Sequence, residues 1–220
     1  MEDGTEIEVD VEEDASPDAK ATLHAPTLPS PALVVLALSI KTVVNPRTHT
    51  HELVAVSGIL HRTVPITGPM PEDTKVLEPF CVVCPPAQGG KLPADLADAL
   101  KETPPHVQQA VRRTPNERAL LNFTLSRLAA MDPDVLLGHG LQGFALDVLL
   151  HRMQAHKLRT WSRIGRINRS RMPQTSKGAD GRETFTGTLA AGRLVCDTSV
   201  IGRELMQKET SYALTPLVKS

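Results

Sequence analysis

The arrangement of apolar and polar positions predicts a strand pair near the start of the chain. Residues 33–40 form a short and nearly continuous β-branched run, which is typical of a strand buried on both faces. Residues 53–60 form a second apolar run, and the polar link between the runs contains the turn signal Asn45-Pro46. We expect the two runs to pair as an antiparallel hairpin.

Loop and helix signals follow this pair. Four prolines in residues 63–79 predict a loop, and residues 80–84 are predicted to form a third, short strand. A weak helix is predicted over residues 95–101, because Pro104-Pro105 stops it.

The best helix signal lies in the middle of the chain. Thr114 is placed to cap the helix, Pro115 to occupy its first position, and Glu117 to complete a capping box. The apolar spacing that follows predicts a helix that ends at about Met131.

The second half of the chain alternates strands and helices. Residues 135–137 predict a strand that ends at the Gly-rich turn 138–140, and a helix begins near Phe144. Residues 193–196 predict another strand, and residues 200–207 a short helix. This order indicates an α/β fold. At the last boundary we expect Asp197 or Thr198 to cap the helix.

Charge is distributed unevenly along the 220 residues, whose formal net charge is −1. Residues 1–30 hold nine acids and one base, contain no aromatic residue and end in prolines, so we expect a disordered acidic tail. Residues 31–220 then form one basic domain. No apolar run is longer than seven residues, against roughly 20 for a membrane helix, so we expect no membrane association.

The strongest positive charge lies in residues 151–182, which carry nine Lys or Arg and one acid. Such a stretch is suited to a polyanion, although a solvated loop would have the same composition. Aromatic residues make up only 3% of the chain, so contacts to nucleic acid would be made to phosphates rather than by base stacking.

The candidate metal and nucleophile residues are sparse. Cys81 and Cys84 have half of a zinc-site spacing without a second pair, and we interpret them as buried thiols. Four histidines, namely His49, His51, His151 and His156, are interpreted as surface residues. Phosphate-loop and hydrolase motifs do not occur in the sequence. We therefore predict no metal site.

The order of the segments resembles the proofreading domain of family B DNA polymerases. That domain opens with an apolar strand bearing Phe-Asp-Ile-Glu, where this chain has Leu38-Ser39-Ile40-Lys41. Its later Gly-x-Asn and Phe-Asp elements correspond to Gly138-His139-Gly140 and Phe144-Ala145. The resemblance covers residues 31–218 and implies a ribonuclease-H-like fold with a mixed sheet, incomplete at its C-terminal end.

Three positions decide what this resemblance implies for catalysis. Ser39 and Lys41 stand where the family has its first acidic pair, and Ala145 stands at its second-motif acid. A two-metal nuclease needs carboxylates that hold both ions and activate water. The resemblance therefore implies a metal-free, inactive exonuclease site, with the third motif expected beyond Ser220.

Five ordered segments narrow the resemblance to a replicative branch of the family. They begin at Leu38, Phe80, Phe144, Trp161 and Gly192. The resemblance implies a nuclear polymerase fragment that lacks the polymerase palm, where Mg²⁺ would act. Its implied partners are DNA or an RNA–DNA primer-template, the remaining polymerase domains, primase and accessory subunits.

Two other functions remain open from the sequence. An active nuclease could use Asp134, Asp147 and Asp197 if these carboxylates converge. A protein-interaction module without a nucleic-acid role could instead bring the acidic residues 1–30 onto the basic body.

Within the basic stretch, Arg163, Arg166, Arg169 and Arg171 are the predicted phosphate-binding residues. They are closely spaced, and Gly165 leaves the backbone free to approach a strand. In the competing interpretation, Trp161 and Ile164 fix this segment to the core while the arginines face water or pair with surface acids.

Overall fold

A computed structural model of the protein describes residues 30–69, 77–87, 89–173, 175–177, 183–185, 189–206 and 211–219. The chain divides into residues 1–30 and residues 31–220, and the fold below is that of the second unit. The predicted acidic tail lies outside the described residues apart from Ser30. No helix in the described part is long and apolar enough to cross a membrane.

The strands of the described chain are β1 (Leu33–Val44), β2 (His51–Val64), β3 (Leu77–Val83), β4 (Val111–Arg113), β5 (Val135–Gly138), β6 (Thr175–Lys177), β7 (Glu183–Phe185) and β8 (Leu194–Asp197). Six of them form one mixed sheet in the order β4-β3-β2-β1-β5-β8. The pairs β1–β2 and β2–β3 are antiparallel, whereas β3–β4, β1–β5 and β5–β8 are parallel. The strands β6 and β7 pair separately.

The helices of the described chain vary in length from one turn to four. A five-residue π-helical turn, Leu141–Ala145, leads into α4, and a 3₁₀ turn covers Trp161–Ile164. The α-helices are α1 (Leu96–Lys101), α2 (Pro105–Ala110), α3 (Glu117–Met131), α4 (Leu146–Ala155), α5 (Thr198–Leu205) and α6 (Leu214–Lys219). The mixed α/β architecture is the predicted one.

The hairpin of β1 and β2 is confirmed, but the predicted burial of β1 on both faces is wrong. Leu36 and Leu38 are buried, whereas Ser39 between Leu38 and Ile40 is exposed. The large apolar side chains of α3 and α4 pack in one cluster with Leu36 and Leu38. One face of β1 therefore contributes to the core, and we call the opposite face, which carries Ser39, the outer face.

The start of α3 differs from the prediction. The cap is Asn116, whose side-chain oxygen accepts a hydrogen bond from Ala119 N at 2.9 Å. Thr114, the predicted cap, instead donates its hydroxyl to Val83 O at 3.1 Å. The backbone of Thr114 also bonds Val83, so this residue extends the pairing of β4 with β3 and is not free to cap. The predicted end at Met131 is confirmed.

The segment between α1 and α3 holds two elements that the sequence did not predict. Pro105, interpreted as part of a stop signal, is the first residue of α2, where a missing N–H removes no helical bond. Val111–Arg113 then pairs with β3 in parallel. Helix α4 matches its prediction more closely, because Leu146, Val148, Leu149, Leu150 and Met153 are all buried.

Glu117 forms a buried ion-pair cluster that joins β2, α3 and α4. Its side chain accepts hydrogen bonds from Leu53 N at 2.7 Å, from Arg152 Nε at 2.8 Å and from Arg152 Nη2 at 2.5 Å. His156 Nε2 lies 2.8 Å from Glu117 Oε2. The prediction that Glu117 serves the capping box is therefore wrong. His156, interpreted as a surface residue, is half-buried because its ring contacts the buried Glu117 carboxylate.

The pKa of Glu117 reflects this cluster. Burial raises the pKa, but the hydrogen bonds from Arg152, His156 and the Leu53 N–H outweigh it and leave the pKa below its ordinary value. Cys84 lies nearby, fully buried, with its thiol donating to Leu53 O at 3.3 Å. Burial and the charge of Glu117 raise the pKa of Cys84 to about 11, so Cys84 stays a neutral thiol, as its interpretation as a buried thiol requires. Cys81 is only half-buried.

We expect Glu117→Gln to destabilise the fold. The substitution keeps the shape but leaves the Arg152 guanidinium without its charged partner, and losing one partner of a buried pair costs about 3 kcal/mol. Urea unfolding at pH 7 measures the change. The control is Arg118→Gln at the adjacent, exposed position, which should shift the free energy of unfolding by less than about 0.5 kcal/mol. Equal unfolding midpoints for both variants would contradict the assigned role of the cluster.

Candidate functional site

Ser39 and Lys41 lie side by side on the outer face of β1. In the ladder with β2, Ser39 is opposite Ser57 and Lys41 is opposite Ala55. Alternate residues of a strand share a face, so the hydroxyl and the ammonium group stand on the same side of the sheet. Both residues are exposed. The ammonium group of Lys41 makes no hydrogen bond or ion pair with any other described residue.

A cavity of about 410 Å³ opens on this outer face beside Ser39. Its lining includes the apolar residues Ile59 and Val107, while His139 and Thr198 contribute polar groups. His139 Nδ1 lies 3.0 Å from Thr198 Oγ1. The volume is in the range of small-molecule pockets, and the chemistry of the cavity is mainly apolar.

The turn between β5 and α4 brings Ala145 to the same end of the sheet. A Cβ on Gly138 would stand 2.9 Å from Leu38 O, so glycine allows the turn to approach β1. Gly140 has a φ of 67°, a left-handed conformation that glycine adopts without strain. Ala145 follows in the π-helical turn and is buried, with a methyl group that offers no ligand to a metal.

Asp197 fixes this turn from the neighbouring strand. The carboxylate is buried and accepts hydrogen bonds from Gly140 N, Gln142 N and Ser199 N, each at 2.9 Å, and from Ser199 Oγ at 2.7 Å. The prediction that Asp197 or Thr198 caps α5 is confirmed for Asp197. The same carboxylate thus caps α5 and holds the glycine turn.

The hydrogen bonds to Asp197 also set its ionisation. Burial raises the pKa of this carboxyl, but the bonds from Ser199, Gln142 and Gly140 outweigh burial and lower the pKa below 3.8. Four donors to two oxygens occupy most of the lone pairs of the carboxylate. Asp197 is therefore an anionic structural residue at neutral pH.

The three acids of the active-nuclease alternative do not meet. Asp134 precedes β5 and Asp197 ends β8, and the ladder between these parallel strands runs from Val135 opposite Leu194 to Gly138 opposite Asp197. The two acids thus lie at opposite ends of the ladder, about 13 Å apart along the strand direction. Asp147 lies on α4, where burial raises its pKa. No cluster of His, Cys, Asp and Glu suited to a metal occurs among the described residues.

The four predicted phosphate-binding arginines have different environments. All four are exposed, and the segment is fixed to the core by Trp161 and Ile164, which are 4% and 0% exposed. Arg166, however, donates to Asp132 Oδ1 at 2.8 Å, to Asp132 O at 2.9 Å and to Asp134 Oδ1 at 2.7 Å. Its guanidinium is thus held by the start of β5. Arg163 lines the same hollow as Arg166, and Arg169 and Arg171 are exposed.

Two residues near this segment escaped the sequence reasoning. Arg159 is exposed and lines the same surface as Arg163. Arg193, interpreted only as the start of a strand, is buried and bonds Asp132 Oδ1 at 2.8 Å, Ile164 O at 3.2 Å and Pro133 O. The sequence contains one signal for Arg159. It lies two residues before the apolar anchor Trp161, which holds this part of the chain beside Arg163.

The sequence matches a known domain over most of its length. Residues 2–216 match the family described as DNA polymerase family B, exonuclease domain. The chain is 38% identical over 192 residues to the DNA polymerase alpha catalytic subunit of Xenopus laevis, covering 87% of this chain. It is 38% identical over 221 residues to that of Oryza sativa, covering 94%, and 33% identical over 215 residues to that of Saccharomyces cerevisiae, covering 96%.

The relatives are much longer than this chain. The alignments cover 12% of the Xenopus protein and 14% of the rice and yeast proteins. The similarity therefore concerns one domain of those polymerases, and it agrees with the ribonuclease-H-like fold expected from the sequence.

We expect Asp197→Asn to destabilise the glycine turn and α5 together. An amide accepts fewer hydrogen bonds than a carboxylate and brings its own N–H groups toward donors, which costs about 2 kcal/mol at neutral pH. A lowered folded-state pKa means that the stabilisation from the carboxylate is present above the ordinary pKa of 3.8 and is lost as the pH falls through the folded-state value.

Urea unfolding of the wild type and of Asp197→Asn between pH 3 and pH 7 measures both effects. The difference in unfolding free energy should be constant from about pH 5 to pH 7 and should shrink as the pH falls below about 4. Asp98→Asn on the exposed helix α1 is the control, with a small effect at every pH. A pH-independent difference would show that the charge of Asp197 is not what stabilises the turn.

Proposed function

The chain belongs to the exonuclease-domain family of family B DNA polymerases, and we propose that it is a catalytically silent member from a DNA polymerase alpha catalytic subunit. The single observation that carries the proposal is the set of side chains at the nuclease positions. Ser39, Lys41 and Ala145 occupy the family's acidic positions and contain no carboxylate.

The residues at these positions do not fit two divalent metal ions. Magnesium prefers several oxygen ligands, usually from carboxylates, and a two-metal nuclease uses them to activate water and to stabilise the leaving oxygen. Ser39 offers one weak neutral ligand, and Ala145 offers none. Lys41 adds a positive charge on the same face of β1 as Ser39, which repels a metal ion there.

The neighbouring acids do not replace the missing carboxylates. Asp197 contacts the glycine turn directly, and its oxygens already accept four hydrogen bonds. Asp134 lies at the other end of β5, where it accepts a hydrogen bond from Val34 N and forms an ion pair with Arg166. Both carboxylates support the fold instead of a reaction.

We infer a structural and nucleic-acid-binding role for the domain. The family acts on DNA, and the exposed arginines Arg163, Arg169 and Arg171 support contact with phosphates, while Arg166 supports the segment that carries them. In a complete polymerase the domain would accompany the Mg²⁺-dependent palm, a DNA or RNA–DNA primer-template, primase and accessory subunits in the nucleus.

We expect the purified chain to release no nucleotide from 3′-labelled single-stranded DNA with either Mg²⁺ or Mn²⁺. The missing carboxylates leave no ligand set to hold the ions beside a scissile phosphate. Gel or scintillation analysis of released label measures the activity against a no-enzyme control and an active proofreading polymerase. Metal-dependent release that is abolished by Asp147→Ala would overturn the proposal and favour the active nuclease.

A further inference from the structure

We propose that two adjoining hollows beside α4 form one groove that binds the phosphate backbone of double-stranded nucleic acid. This basic groove is defined by Lys157, Arg159, Arg163 and Arg169. The inference deepens the proposed function and rests on its nucleic-acid role, but it does not depend on whether the nuclease site is silent.

The shape of the surface is the first observation. One hollow, of about 630 Å³, is lined by Arg159 and Arg163, and a second, of about 840 Å³, by Lys157 and Arg169. Arg159 and Asn168 line both hollows. The two hollows therefore adjoin at Arg159 and Asn168 and form one continuous depression.

The charges that face the groove are the second observation. Among the described residues, the first hollow is lined by four arginines and by the acid Asp132, whose carboxylate is bound by Arg166 and Arg193. The described lining of the second hollow contains Lys157, Arg159 and Arg169 and no acid. Arg159 and Arg163 form no ion pair with any other described residue. The groove thus presents an excess of positive charge with two guanidinium groups available for a ligand.

Hydrogen-bond donors other than arginine also line the groove. Ser162 Oγ lies 3.1 Å from Asn168 Oδ1, so the hydroxyl donates to the amide oxygen and the two N–H groups of Asn168 are left as donors. Arginine and amide N–H groups are the donors that proteins commonly use to bind phosphate oxygens. An anionic ligand therefore fits this surface better than a neutral or cationic one.

The groove is held rigidly. The turn Trp161–Ile164 is anchored by two side chains that are almost completely buried. A Cβ on Gly165 would stand 2.6 Å from Ala191 O, so the backbone after this turn packs directly against the segment before β8. Arg159 and Arg163 therefore project from a fixed frame, which reduces the entropy lost on binding.

The aromatic content of the groove favours a duplex. Trp161 lines the second hollow but is only 4% exposed, so its ring offers no platform on which an unpaired base could stack. Binding must then come from phosphates, and a duplex presents one phosphate charge per roughly 1.7 Å of its axis, twice the density of one strand. We expect DNA duplexes and RNA–DNA hybrids to bind more tightly than single strands.

The position of the groove separates it from the nuclease positions. Asp132, which lines it, lies just before β5, whereas the parallel register of β1 and β5 places Ser39 beyond Gly138, at the other end of β5. The distance from the Asp134 level to the Ser39 level is five residues, or about 16 Å along the strand. A duplex can therefore bind in the groove without contacting Ser39 and Lys41.

The test compares the full chain with the double variant Arg159→Ser, Arg163→Ser. Fluorescence anisotropy measures binding to a labelled 20-base-pair duplex, a hybrid and a single strand between 50 and 200 mM KCl. We expect the variant to lose affinity for the duplex by about tenfold or more at 50 mM KCl and to reduce the salt slope by about 2, because two phosphate contacts are lost.

The control is the double variant Arg118→Ser, Arg203→Ser, which removes the same charge at exposed positions outside the groove. Circular dichroism and urea midpoints confirm that all proteins fold alike. Equal losses in the two double variants would show that net charge alone binds DNA, and tighter binding of the single strand would refute the duplex assignment. Absence of wild-type binding at 50 mM KCl would overturn the groove while leaving the nuclease assay as a separate test of the silent site.

Discussion

The pairing of the short strand β5 with β1 and β8 positions both candidate sites, and a carboxylate fixes each end of this strand. At its start, Asp134 accepts a hydrogen bond from Val34 N at 2.8 Å and forms an ion pair with Arg166 at 2.7 Å. At its end, Asp197 on the neighbouring strand binds the glycine turn through Gly140 N and Gln142 N. Displacing either contact would move the residues that β5 supports.

Several carboxylates of the described chain serve the structure of the fold in this way. Glu117, Asp134 and Asp197 each accept several hydrogen bonds, and in each case these bonds hold the pKa of the carboxyl below its ordinary value. A carboxylate that is saturated with donors stabilises a frame but has little capacity left for a metal. These three acids therefore stabilise the frame around β2, β5 and β8.

Positive charge serves two purposes in the same region. Arg152, Arg166 and Arg193 are bound to acids and join elements that lie far apart in the sequence. Arg159 and Arg163 stay on the surface without an ion pair to a described residue. A count of nine bases in residues 151–182 includes both kinds, so it overstates the charge that a polyanion would meet.

Elements with strong local signals could be predicted from the sequence. Apolar runs placed the β1–β2 hairpin, and helical spacing identified the buried residues of α4, because both depend on the periodicity of neighbouring side chains. The sequence also showed directly that Ser39, Lys41 and Ala145 carry no carboxylate, because this depends only on residue identity.

Tertiary structure decided the partners and faces of those residues. Arg166 meets Asp132 and Asp134 across more than 30 residues, and Glu117 meets His156 across 39, distances at which local periodicity carries no signal. Thr114 lost its capping role because β4 pairs with β3, which leaves Asn116 as the cap. Topology also set Asp134 and Asp197 at opposite ends of parallel strands, because strand register fixes which ends of distant segments meet.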